Sequence, residues 1–80
     1  MSTITAPPPR PVSATCDRDQ FTVALEDGST LRFPVAITPR LAAATAEELA
    51  DIELLPFTLH WEAIDEDLSI ESLIARGFLS

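Results

Sequence analysis

Residues 21–33 read FTVALEDGSTLRF, and the parity of this stretch decides the fold. Two apolar-alternating runs flank an Asp27-Gly28 pair, the signature of a β-hairpin. A two-residue Asp27-Gly28 loop would pair Leu25 with Thr30 and Val23 with Arg32. The apolar sets of the two strands would then face opposite sides. A three-residue loop, Glu26-Asp27-Gly28, instead pairs Val23 with Leu31 and Phe21 with Phe33, so one face is apolar throughout. It also puts Gly28 at the left-handed position that a type I turn with a bulge requires. The three-residue loop is therefore expected. Pro34 has no N–H for a ladder, so the second strand ends there or lies at an edge.

Upstream, Val12, Ala14 and Cys16 alternate with polar residues and predict a short first strand, with Cys16 turned inward as a small hydrophobe. Residues 1–11, MSTITAPPPRP, read as a disordered, proline-rich lead, and residues 12–80 as a single domain. The PPRP run has the spacing of a groove-docking ligand, but so short a motif at a terminus reads first as a loose end.

Downstream, Thr38-Pro39 is a helix start, a capping hydroxyl followed by proline at the first helical position. Thr45-Ala-Glu-Glu48 is a capping box and renews the helix, giving one bent region or two segments. From Ile52 the period shortens. Glu53-Leu-Leu55 and Thr58-Leu-His-Trp61 predict two short strands about Pro56-Phe57. In the second, Leu59 and Trp61 share one face, and Thr58 and His60 the other. Asp65-Glu-Asp67 reads as an acidic turn. Ser69 caps a last helix through Ile70, Leu73 and Ile74, Glu71 sits favourably in its first turn, and Gly77 ends it. The expected class is α+β: one small domain, β-β-β-α-β-β-α, with a mostly antiparallel sheet and helices packed on one face.

Eighty residues leave room for one core and none for a deep, closed active site. Apolar residues make up 46% and charged residues 22% of the chain, which fits a folded domain rather than a disordered one. The single cysteine excludes an internal disulfide framework and a multi-cysteine zinc site. The N-terminal residues have neither the basic region nor the apolar run of a secretory signal, and no run of about 18 apolar residues exists. Cytoplasmic localisation is the expectation.

The net charge is −8, and all five basic residues are arginine. None lies between Arg40 and Arg76, a stretch that holds nine of the thirteen acids. Such a surface repels a phosphate backbone, so direct nucleic-acid binding is not expected. It attracts a basic protein. A second copy of the chain is the other partner class considered, and a membrane is not.

Chemistry could only be sited near His60, the one histidine, where an indole and carboxylates converge. A metal reading would join His60 to Asp65 and Asp67. There is no second histidine, however, and the carboxylates lack the spacing and glycine of a calcium loop. A hydrolase reading would join Ser69 or Ser72 to His60, but there is no nucleophile elbow and no glycine-rich oxyanion loop. Cys16 as a nucleophile is opposed by Asp17 and Asp19. No catalytic residue, metal ligand or cofactor is expected, and the protein is not read as an enzyme.

The ordered set of motifs resembles a small bacterial family, domain of unknown function 2442. The residues that carry the resemblance are Val23-Ala-Leu-Glu-Asp-Gly28 with Arg32-Phe33, Thr38-Pro-Arg-Leu41, Ala44-Thr-Ala-Glu47, and above all His60-Trp61 with Asp65-Glu-Asp-Leu-Ser69 and Leu73. It covers roughly residues 12–77. Similar sequences have glycines where this chain has Pro56-Phe57. The resemblance implies an α+β domain without established catalytic residues, similar to small proteins proposed in toxin–antitoxin-like pairs. Some members carry an added helix-turn-helix domain, which is not read here. The expected function is a non-enzymatic, acidic protein-interaction module, antitoxin-like. Its candidate interaction surface is His60, Trp61, Glu62, Asp65, Glu66 and Asp67. The alternative is a regulatory or small-ligand-binding domain using the surface around His60 and Trp61.

Overall fold

The computed structural model describes residues 8–17 and 19–79. It is an α+β domain with two antiparallel three-stranded sheets and three short helices. The first sheet has the order β1 (Pro11–Asp17), β2 (Gln20–Leu25), β3 (Thr30–Pro34). Val23 pairs with Leu31 and Phe21 with Phe33, the register that parity demands. The loop is the three-residue one: Leu25 N–H donates to Ser29 O at 2.9 Å and Gly28 N–H to Leu25 O at 3.0 Å. Gly28 has φ +91°, a region that only glycine enters at low cost. Asp27 braces the loop by accepting from the Ser29 amide and hydroxyl. The second strand ends at Pro34 and is an edge strand.

The first strand differs from expectation at its start. A bulge between Pro11 and Ser13 takes Val12 out of the ladder, and Val12 is 57% exposed. Pro11 pairs with Leu25 in its place and is buried. Ala14 and Cys16 then fall opposite Val23 and Phe21 and pack on the core. Strand β1 thus begins one residue inside the proline-rich lead, and Arg10 O accepts from Glu26 N–H. Residues 1–7 of that lead, on which most of the expectation of disorder falls, lie outside the described residues.

After a 3-10 turn at Val35–Ile37, the helical region is two separate helices. Helix α1 (Pro39–Ala43) starts at Thr38, whose hydroxyl accepts from Leu41 N–H. Ala44 is extended (φ −77°, ψ 152°) and breaks the run. Helix α2 (Ala46–Ala50) starts on the complete Thr45–Glu48 capping box. Each helix commits a single leucine to the core, Leu41 and Leu49.

The second sheet has the order β4 (Glu53–Leu54), β5 (Thr58–Trp61), β6 (Glu66–Ser69). Leu55 leaves the strand and closes a Pro56-Phe57 hairpin loop with Thr58. The acidic turn is displaced. The reversal is a 3-10 turn at Glu62–Ile64 that ends on Asp65 in the left-handed region (φ 51°). Glu66 and Asp67 are strand residues opposite Trp61 and His60. Consecutive acids are poor strand formers. Here the pairing of Leu68 with Leu59 and the ladder to the buried β5 outweigh that preference. The five expected strands are therefore six, divided between two sheets.

Helix α3 (Ile70–Ala75) begins at Ser69, whose hydroxyl accepts from Ser72 N–H. It ends in a paired clasp: Gly77 N–H donates to Ile74 O and Phe78 N–H to Leu73 O, with Gly77 at φ +89°. The chain then docks on β3, where Arg32 N–H donates to Phe78 O and Leu31 bridges Leu79.

One core joins these parts. Phe21, Val23, Leu25, Leu31 and Phe33 meet Leu59, Trp61, Ile70 and Leu73, with Leu41 and Leu49 closing it. Phe21 lies 5.2 Å from both Phe33 and Trp61, centroid to centroid, and Phe33 lies 6.3 Å from Phe78. These are favourable tilted spacings that carry the packing across from one sheet to the other.

Candidate functional site

Strand β5 separates the two most chemical residues of the chain. Trp61 is fully buried. Its ring packs on Phe21, and its Nε1–H donates to Leu49 O at 3.2 Å. It is therefore an anchor between β5 and α2, and it is not part of an interaction surface. Its area is worth more in the core than at a rim, and its one polar group is satisfied there. His60, one residue away, points to the other face and is about one-fifth exposed.

The register builds a row across the second sheet. Glu53 of β4 pairs with His60, and His60 pairs with Asp67 of β6. Glu62, two residues on, approaches the other nitrogen of the ring from Asp67. His60 Nε2 is 3.8 Å from Glu62 Oε1 and Nδ1 is 3.9 Å from Asp67 Oδ2. Glu53 joins them: ligand-type atoms of Glu53, His60 and Glu62 lie within 4.8 Å of one another. Glu53 was not among the residues expected here. Its signal in the sequence is the alternation of β4 against β5, which fixes the pairing once the hairpin loop is known to be Pro56-Phe57.

Asp65 and Glu66 stand apart from this row. Asp65 faces α1: Arg40 Nη1 donates to Asp65 O at 2.7 Å and Ile64 O at 3.3 Å, and lies 3.8 Å from Asp65 Oδ2. The last arginine before the basic-free stretch thus folds back onto it. Glu66 is half-buried opposite Trp61. Of the six residues expected to form one surface, only His60, Glu62 and Asp67 are brought together, and Glu53 completes the group.

The other reactive groups are accounted for. Ser69 Oγ is occupied as a cap. Burial, with a smaller contribution from Asp17, raises the Cys16 thiol above its ordinary range, which disfavours the thiolate. Cys16 lines a shallow cleft of about 400 Å³ between β1 and α2 with Ala14, Leu49 and Ile52. Leu55 and Phe57, 36% and 50% exposed, form an apolar tip at the end of the β4–β5 hairpin. No helix among the described residues is long and apolar enough to cross a membrane.

The family model described as "Protein of unknown function (DUF2442)" matches residues 11–78. Among solved structures, the chain is similar to a crystal structure of a protein of unknown function from Rhodospirillum rubrum ATCC 11170. The two share 37% identity with a TM-score of 0.78, over 89% of this chain and 90% of that one. No curated protein matches.

Proposed function

The chain belongs to this family of unknown function, DUF2442, and on that premise we propose that it is a non-enzymatic, acidic protein-interaction module. Its partner is a basic protein, as the antitoxin-like member of a pair would require. The observation that carries the reading is the row Glu53–His60–Asp67 with Glu62, on the outer face of the second sheet. Among the described residues, no arginine pairs with any of these three acids. The field of three neighbouring carboxylates raises the local concentration of a cationic surface. The apolar tip at Leu55 and Phe57, on the hairpin that carries Glu53 and His60, supplies area that charge alone does not. The small-ligand alternative has less support, because Trp61 fills the core and lines no cleft described above.

The test is co-purification from the native host in low salt, followed by mass spectrometry. A basic protein should be retained in low salt and released at about 0.5 M salt, where the Debye length is about 4 Å. The triple variant Glu53→Gln/Glu62→Gln/Asp67→Asn should lose it. A monomer without a partner, or a partner held equally well by the triple variant, would end this reading.

A further inference from the structure

We propose that His60, Glu53 and Glu62 form a binding site for a divalent transition-metal ion, zinc in the first place, on the outer face of the second sheet. The sequence alone points away from metal, because it offers His60 only Asp65 and Asp67, with no second histidine and no calcium-loop spacing. The fold sends Asp65 to Arg40 and brings Glu53 and Glu62 to His60 instead. The three side chains come from β4, β5 and the 3-10 turn, three backbone segments whose relative position the sheet fixes.

Two features distinguish this group from an ordinary acidic surface. The first is the mixed donor set. One imidazole nitrogen and two carboxylate oxygens suit zinc, which accepts both donor types and leaves a fourth position for water. Calcium and magnesium prefer oxygen throughout, so a central imidazole argues against them. The second is the division of the ring. Asp67 stands beside Nδ1, and Glu62 stands beside Nε2. A carboxylate on the far nitrogen sets the tautomer and orientation of a metal-binding histidine. Asp67, 3.9 Å from Nδ1, is placed for that positioning role, which leaves Nε2 to face Glu62.

The distances are within reach of closure. Ligand bonds of about 2.0–2.2 Å put the donors of a tetrahedral site about 3.4 Å apart. The observed group fits within 4.8 Å. Glu53 and Glu62 are both exposed and free to change rotamer, while His60 is the more confined of the three. The approach needed is thus a movement of two flexible side chains toward a fixed one. No other metal-ligand group of this kind is found among the described residues. The site stands whether or not a basic partner uses the same face, although the two would compete for the carboxylates.

The experiment uses the untagged full chain, zinc chloride, calorimetry and NMR. Because His60 is the sole histidine, its ring resonances report on one position without assignment. The expected result is a single saturable zinc equivalent that shifts those resonances, with no shift from calcium or magnesium at the same concentration. His60→Ala should abolish saturable binding. Asp67→Asn should weaken it about 10-fold, the usual scale for loss of a carboxylate behind the ligand. Cys16→Ser and Glu66→Gln should leave it unchanged. If His60→Ala does not fold, Glu53→Gln and Glu62→Gln decide instead, and each should weaken binding. Absence of saturable binding up to millimolar zinc overturns the proposal. So does retention of binding in a folded His60→Ala, or its loss in Cys16→Ser. Partner co-purification keeps the two readings apart: a basic partner retained in low salt, with no saturable zinc binding in calorimetry, would remove only this one.

Discussion

The loop from Leu25 to Ser29 and the loop from Trp61 to Glu66 each reverse the chain between adjacent antiparallel strands, and each spends one residue in the left-handed region to do it. In the first, that residue is Gly28, and the bonds about it lie within the loop: the Leu25–Ser29 backbone bond and the Asp27–Ser29 brace, with one bond from outside, Glu26 N–H to Arg10 O. In the second it is Asp65, an L-residue at φ 51°, and beyond one long internal bond, Asp65 N–H to Glu62 O at 3.3 Å, the support comes from outside. Arg40, on a helix of the opposite half of the chain, caps the carbonyls of Ile64 and Asp65. The first reversal is a local structure that the fold uses. The second is a structure that the fold makes.

The largest test of this contrast removes the anchor that brings the second sheet onto the first. Trp61→Ala should cost about 3–5 kcal/mol by loss of packing. Total stability for a domain of this size is on the order of 4–12 kcal/mol. In urea titration followed by circular dichroism, the variant should be largely unfolded or close to it. A loss below about 1 kcal/mol would mean that the second sheet does not depend on docking. Next, Gly28→Ala should cost about 1–2 kcal/mol from backbone conformation alone, since no atom lies within 4 Å of the added carbon. Asp65→Gly should change stability by less than about 0.5 kcal/mol, because relief at φ is set against added freedom in the unfolded chain. Equal costs at the two positions would erase the distinction.

Arg40→Ala should cost about 0.5–1.5 kcal/mol, the range for solvent-accessible bonds to carbonyls. The cost should shrink in the Asp65→Gly background, where the turn no longer needs to be held. A double-mutant cycle measures this coupling, and additivity would show that the arginine does not support the turn. The smallest effect concerns acid. The Ser29 hydroxyl, and then its amide, hold the Asp27 carboxyl below its ordinary value of 3.8. A lowered folded value contributes stability that is present above 3.8 and lost as pH falls through the lower value. Ser29→Ala should therefore flatten the acid limb of the stability curve below pH 4, and leave the slope near neutrality as it was. An unchanged acid limb would show that Asp27 does not brace the first loop electrostatically.

The same contrast explains what could be read from the residues. The first hairpin was legible because parity, one glycine and two aromatics restrict it within 13 residues of sequence. The helix caps at Thr38, Thr45 and Ser69 were legible for the same local reason. The β5 faces followed from alternation. The sixth strand was hidden because Asp65-Glu66-Asp67 is locally a turn, and the bond that moves the turn upstream comes from Arg40, 25 residues away. The bulge at Val12 was hidden because Pro11 is the better-placed residue only once Leu25 is opposite it. The candidate site was legible in part. His60, Glu62 and Asp67 are close in sequence, while Glu53 enters only through strand pairing and Trp61 leaves only through burial.

Trp61 also gives the molecule an optical property. It is the only tryptophan, and the chain has no tyrosine, so emission excited beyond the absorption of phenylalanine comes from one indole placed where the two sheets meet. Its quantum yield and wavelength report the environment of that junction, the packing on Phe21 and the bond to Leu49 O included, while peptide absorption reports the strands themselves. Two melting curves that coincide would identify the halves as one cooperative unit. An earlier fluorescence transition would reveal a state in which the first sheet persists after the second has come away.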